Sequence, residues 1–201
     1  MVEGPLTSAG QLERRAVVAR LVRDRGGAAV VAGLGSPTWD LAAAGDHERN
    51  FYLWGAMGSA VTIGLGLALA QPALPVLVIT GDGEMLMGLG ALATAGVKAP
   101  ANLDVVVLDN ERFGETGMQK SHTAHGVDLP AIAAAAGFGW TETVSDDAEL
   151  DTLCGRLYAS DGCGFASIKI APVDCPRVMP ERDGAVVKDR FRRALLGADA
   201  A

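Results

Sequence analysis

Apolar and polar positions alternate along this chain in two different periods. From Gln11 to Arg25 apolar residues recur at helical spacing with charges between them, which predicts an amphipathic helix ended by Gly26-Gly27. A short strand is expected at 28–32. Turn residues then dominate (GLGSPTWDLAAAGDHERN, 33–50) and leave room for at most one short helix before a brief strand at 51–54. Met57 to Ala70 (MGSAVTIGLGLALA) is apolar almost all round, with small residues at Gly58, Ser59, Gly64 and Gly66. That pattern predicts a buried helix whose neighbours, the sheet or a partner subunit, approach its backbone closely. The runs PVLVIT (75–80) and LDVVVL (103–108) read as buried strands bracketing a helix from Met85 to Val97, a βαβ unit. Helices are expected at 129–136, 148–159 and 187–196, and strands at 141–144 and 165–170. The alternation predicts an α/β fold, a parallel sheet flanked by helices on both faces. With 201 residues, 49% of them hydrophobic, and no repeat or linker, residues 1–201 read as a single domain.

Composition removes several classes of function. A net charge of −7, from 17 basic and 24 acidic residues, provides no basic stripe for nucleic acid. No apolar run reaches the roughly 18 to 20 residues of a membrane span, and MVEGPLTSAGQLERR lacks the parts of a signal peptide, so a soluble, cytoplasmic protein is expected. Cys154, Cys163 and Cys175 are irregularly spaced without a CxxC, which argues against a disulfide framework, zinc or an iron–sulfur cluster.

Candidate chemistry is concentrated after the PVLVIT strand. Gly81-Asp82-Gly83-Glu84 follows it directly, and Asn110-Glu111-Arg112 follows the next strand, with 26 residues from Glu84 through Asp109 between. The carboxyl ends of adjacent parallel strands share one crevice, so Asp82 and Asn110 can converge there. Mg²⁺ takes oxygen ligands from few protein groups together with phosphate and water. Gly81 and Gly83 allow close backbone approach, and a helix starting near Glu84 points free N–H groups at the same place. The plainer reading of Asp82 and Asn110 is as turn or cap residues.

The spacing GDG, 26 residues, Asn resembles the motif of the thiamine diphosphate-dependent decarboxylase and acetolactate synthase superfamily, in its diphosphate-binding domain. The resemblance implies thiamine diphosphate and Mg²⁺ as cofactors, with the metal on Asp82, Asn110 and the backbone carbonyl of Arg112. The family's usual Asn-Asn pair is here Asp109-Asn110. Upstream, Gly55-Ala56-Met57-Gly58 is similar to the family element in which a glycine carbonyl meets the cofactor's 4′-amino group and an apolar residue wedges beneath the bent cofactor. This implies Gly55 and Met57 in those roles, Met57 with a catalytic part through the cofactor's shape. Gly81, Asp82, Gly83, Glu84, Asn110, Arg112, Phe113, Gly114 and Glu115 form the rest of the implied cofactor site.

FYLWGAMGSAVTIGLGLALA, GDGEMLMGLGALATAG and LDNERFGETGMQKSHT, with Thr116-Gly117-Met118-Gln119, are most similar to sulfopyruvate decarboxylase β subunits and to the C-terminal part of phosphonopyruvate decarboxylase. The implied activity is loss of CO₂ from a small 2-oxo acid to give an aldehyde. Family members activate the cofactor through a glutamate on a pyrimidine-binding domain. Glu84, Glu111 and Glu115 all lie at the diphosphate end, so a pyrimidine-binding, α-type partner subunit is expected. His122, Thr123, His125 and Gln119 follow the metal loop; His122 is the candidate catalytic histidine, although loop histidines are commonly solvated and idle. Asp46-His47-Glu48-Arg49 reads as a solvated loop and Lys169 as a side chain snorkelling at a strand end. The alternatives are a carboligase subunit of the acetolactate synthase type, a 2-oxo acid:ferredoxin oxidoreductase β subunit, and a non-catalytic regulatory subunit.

Overall fold

In the computed structural model, which describes residues 11–197, six parallel strands form one sheet. The leader-free reading of the first ten residues lies outside those described. In chain order the main elements are α1 (Arg14–Arg23), β1 (Ala29–Ala32), α2 (Ser36–Ala43), β2 (Asn50–Tyr52), α3 (Ala60–Ala70), β3 (Val76–Gly81), α4 (Asp82–Met87), α5 (Gly90–Lys98) and β4 (Leu103–Asp109). A two-strand hairpin, β5 (Arg112–Phe113) and β6 (Gln119–Lys120), comes next, followed by α6 (Leu129–Ala136), β7 (Trp140–Val144), α7 (Asp147–Arg156), β8 (Gly164–Lys169) and α8 (Gly184–Leu196). The sheet order is β2-β1-β3-β4-β8-β7.

Both sheet faces are buried, which is why the central strands read as continuous Val, Ile and Leu runs. Val30, Leu77, Ile79, Val106 and Ile168 join one core with Val17, Val18 and Leu21 of α1, Leu41 of α2 and Leu150 and Leu153 of α7. Their strand neighbours Val31, Val76, Val78, Val105 and Phe165 join a second core with Val61 and Leu65 of α3, Leu92 of α5 and Leu129 of α6. Among the described residues no helix is long and apolar enough to cross a membrane.

Two helices depart from the expected limits for one reason. The helix expected at Met85–Val97 is broken into α4 and α5, and that expected from Met57 starts only at Ala60. Gly88 sits at the break, and a Cβ there would lie 2.1 Å from the Gly58 carbonyl oxygen. The two backbones are in contact, and Gly58 (φ 92°) and Ala56 (φ 56°) take left-handed conformations that a helix excludes. α7 likewise ends early, at Arg156, before the left-handed Tyr158 (φ 69°) and Ser160 (φ 54°). The Asp46–Arg49 segment lies at the amino end of β2, away from the carboxyl ends of the strands. There Asp46 pairs with Arg190 of α8 at 2.6 Å and accepts a hydrogen bond from the Tyr52 hydroxyl at 2.8 Å.

Asp104, near the start of β4, is buried and accepts one hydrogen bond, from the Tyr158 amide at 3.1 Å. Burial pushes its pKa from 3.8 up to about 6. Its contribution to stability is therefore full below pH 3.8 and is lost as pH rises through about 6. Asp104→Asn removes that loss. Thermal melts should show the variant ~2–3 kcal/mol more stable than the parent at pH 8 and the two nearly equal at pH 4; equal shifts at both values would refute the assignment.

Candidate active site

The carboxyl ends of β1, β3, β4 and β8 open into a cavity of about 480 Å³. Gly81, Asp82, Gly83, Glu84, Asn110, Arg112, Phe113, Gly114 and Glu115 all line it, as does Met57 from the loop before α3. Asp82 and Asn110, 28 positions apart, thus converge as adjacent-strand topology requires. Gly55 is exposed in the Met57 loop and is outside the lining; Met57 itself is 37% exposed.

Asp82 opens α4 and is buried. Its Oδ2 accepts from the Ser121 hydroxyl and lies 3.3 Å from Thr123 Oγ1, which is itself 2.8 Å from Asp109 Oδ1. Burial, reinforced by the neighbouring Asp109 charge, pushes the Asp82 pKa up to about 6 although Ser121 and Thr123 favour its ionised form. Two buried carboxylates are therefore joined through hydroxyls, and the Lys169 ammonium meets the other oxygen of Asp109. A cation beside Asp82 would relieve an unfavourable charge.

Lys169 does not snorkel. β4 and β8 pair Asp109 with Lys169 in register, and the Lys169 ammonium reaches Asp109 Oδ2 at 2.7 Å and Glu111 Oε1 at 3.0 Å. Burial opposes its charge, but these two carboxylates outweigh it and hold the Lys169 pKa above the ordinary value. The same corner is tightened by the Glu111 amide donating to Asp109 Oδ1 (3.1 Å) and the Arg112 amide donating to Asn110 Oδ1 (2.9 Å). Lys169→Met leaves Asp109 without its cation and should cost roughly 1–3 kcal/mol in urea denaturation. Adding Asp109→Asn should recover most of that loss, and strict additivity of the two substitutions would contradict the coupling.

Glu84 lines the cavity, yet its carboxylate is spent on the protein. Oε2 accepts from Thr80 Oγ1 at 2.8 Å, Oε1 from the Gly58 amide at 3.3 Å, and the Leu34 amide donates as well. It ties the loop after β1 and the loop before α3 to the end of strand β3. Burial raises its pKa.

The loop histidines are less well placed. His122 is exposed, outside the cavity lining, and meets Phe113 edge-on with ring centroids 6.2 Å apart. Phe113, unlike His122, is part of the lining. His125 is also exposed. Gln119 uses both ends of its amide on Thr116, at 2.9 Å and 2.8 Å, which closes the turn between β5 and β6 and presents Met118 to the cavity instead. Arg14, Ser36, Pro37 and Trp39 also line the cavity, and no spacing in the sequence linked them to Asp82.

Residues 36–168 match the model of the thiamine pyrophosphate enzyme family's C-terminal TPP binding domain. The chain belongs to this family. It is 41% identical over 191 residues to phosphonopyruvate decarboxylase of Streptomyces viridochromogenes, an alignment covering 92% of this chain and 45% of that protein. The chain thus spans less than half the length of that relative. It is 36% identical over 187 residues to sulfopyruvate decarboxylase subunit beta of Methanothermobacter thermautotrophicus, covering 93% of this chain and 97% of the relative. Benzoylformate decarboxylase from Polynucleobacter necessarius shares the fold, with a TM-score of 0.70 and 19% identity over 88% of this chain and 36% of that one. The sheet described above is thus that of a thiamine pyrophosphate enzyme's C-terminal TPP binding domain.

Proposed function

We propose that this chain is the β-type, diphosphate- and Mg²⁺-binding subunit of a decarboxylase acting on a small anionic 2-oxo acid of the sulfopyruvate or phosphonopyruvate kind. The observation that carries the reading is the convergence of buried Asp82 with Asn110 on a cavity at the carboxyl ends of β3 and β4. Its support from outside the chain is the near end-to-end match to a relative named as a sulfopyruvate decarboxylase β subunit.

The residues fit the group. Among the described residues no three His, Cys, Asp or Glu side chains cluster as a self-sufficient metal site. Asp82, Asn110 and the Arg112 carbonyl offer Mg²⁺ an incomplete oxygen set of the kind that diphosphate oxygens complete. Asp82 gains a cation that offsets its burial. Thiamine diphosphate, when bound, supplies the electron sink for loss of CO₂. Gly81 and Gly83 let the backbone approach the diphosphate, and Phe113, Met57 and Met118 exclude water from the apolar part of the cavity. Gly55 would present its carbonyl to the cofactor's amino group, and Met57, a flexible thioether, would fill the bend beneath the ring system. His122, exposed and outside the lining, touches this site through its edge contact with Phe113.

The partner would carry the activating glutamate, since Glu84 is committed to β3 and two loops, Glu111 to Lys169, and Glu115 faces Arg177 at 3.8 Å. Assayed with its pyrimidine-binding partner on a panel of 2-oxo acids, the chain should release CO₂ and an aldehyde, preferring acids with an anionic tail. Without the partner it should retain less than about 1% of that turnover, in line with the 10²–10⁴-fold worth of general acid–base catalysis. A hydroxyketone product, or full turnover by this chain alone, would overturn the proposal.

A further inference from the structure

We infer that Ser121 and Thr123 are positioning residues that hold Asp82 to ligation through a single oxygen and so bias the proposed metal site toward Mg²⁺ over Ca²⁺. The inference deepens the cofactor reading above and rests on it. Ser121 follows β6, its amide donating to the Glu111 carbonyl at 3.0 Å, and Thr123 lies in the 3₁₀ turn His122–His125 that comes next. Both residues are buried, as are Asp82 and Asp109, the carboxylates they meet.

A capping bond that is not made shows where the Ser121 hydroxyl is spent. Ser121 is the N-cap of the 3₁₀ turn, a position from which a serine oxygen ordinarily accepts from amides of the first turn. Its side chain makes no such bond. The hydroxyl instead donates to Asp82 Oδ2, 39 positions earlier in the chain.

Two hydroxyls bring two hydrogens to two carboxylates. Thr123 Oγ1 is 2.8 Å from Asp109 Oδ1 and 3.3 Å from Asp82 Oδ2, so the shorter contact takes its hydrogen and Ser121 supplies Asp82. The two hydroxyl oxygens are 2.9 Å apart and are held as a pair. Asp109 is a firm anchor for that pair, because its other oxygen is fixed by the Lys169 ammonium at 2.7 Å. A carboxylate oxygen has about two acceptor sites. At Asp82 Oδ2 one takes the Ser121 hydrogen and Thr123 Oγ1 faces the other, whereas neither hydroxyl bonds Oδ1.

This arrangement discriminates between ions. Mg²⁺ demands near-octahedral geometry, whereas Ca²⁺ takes roughly six to eight oxygens and readily accepts both oxygens of one carboxylate. With Oδ2 committed to the hydroxyls, Asp82 offers one oxygen, which suits Mg²⁺. Removing the Ser121 hydroxyl releases Oδ2 and lets the carboxylate turn both oxygens toward a larger ion.

Calorimetry on the protein with its partner, titrating thiamine diphosphate in Mg²⁺ and separately in Ca²⁺, tests this. Ser121→Ala should weaken Mg²⁺-dependent binding about 10- to 100-fold, the usual cost of losing a metal ligand's supporting contact, and leave Ca²⁺-dependent binding within about threefold. Thr123→Val should shift the ratio of the two affinities in the same direction by less, and it serves if Ser121→Ala fails to fold. Thr123→Ser, which keeps the hydroxyl, should restore the parent ratio. Equal losses for both ions, as a merely structural role would give, or an unchanged ratio in both Ser121→Ala and Thr123→Val, would overturn the proposal. If the unsubstituted protein binds no thiamine diphosphate with Mg²⁺, the cofactor reading itself falls, which is a distinguishable result.

Discussion

Asp82→Ala is expected to weaken Mg²⁺-dependent binding of thiamine diphosphate by more than about 100-fold, beyond what loss of a metal ligand's supporting contact usually costs. The physical ground is that Asp82 is the charged member of the proposed ligand set, so Asn110 and a carbonyl cannot hold the divalent ion against water. The metal-free variant should nevertheless be no less stable than the parent at pH 8. There the buried Asp82 carboxylate is ionised against its raised pKa of about 6, and deleting it removes that penalty. The pair of results, affinity lost and melting temperature kept, is read by calorimetry and thermal denaturation. Retained Mg²⁺-dependent affinity would remove Asp82 from the metal site.

Glu84→Ala should have the opposite signature. The buried Glu84 carboxylate accepts from Thr80, Gly58 and Leu34, so its removal leaves two backbone amides and a hydroxyl unpaired at once. At roughly 1–3 kcal/mol for each unsatisfied buried group, the loss is about 3 kcal/mol or more, a fall in melting temperature of roughly 6–12 °C. Glu84→Gln keeps the shape and at least one acceptor and should recover part of it. Because the loops before α3 and after β1 both border the cavity, cofactor affinity should fall together with stability. A variant with native melting temperature would mean that the three contacts carry no weight.

What the sequence made legible follows from how local the cause is. β3 and β4 declare themselves because strands covered on both faces must be apolar at every position. Asp82 and Asn110 were legible as a pair because each directly follows such a strand, and parallel pairing then leaves their convergence little freedom. The break between α4 and α5 was hidden, since it depends on Gly88 meeting Gly58, thirty positions earlier in the chain. The β5–β6 hairpin consists of two-residue strands, too short for any period to register. Lys169 looked idle because its partner is set by strand register, which a single strand does not reveal. Arg14 and Ser36 fall in separate elements, and only the packing of α1 on α2 brings them to one wall.

The register that places Lys169 opposite Asp109 also sets an order of events during synthesis. β8 inserts between β4 and β7, and among the described residues it is the last strand in chain order. Until it docks, the turn carrying Asn110 holds an Asp109 carboxylate with no ammonium beside it, and one flank of β4 has no hydrogen-bonding neighbour. A nascent chain that has emerged only as far as β7 can build the α4 corner but not the neutralised turn. Affinity for a divalent ion at the proposed Asp82–Asn110 site should therefore appear only once β8 has docked beside β4.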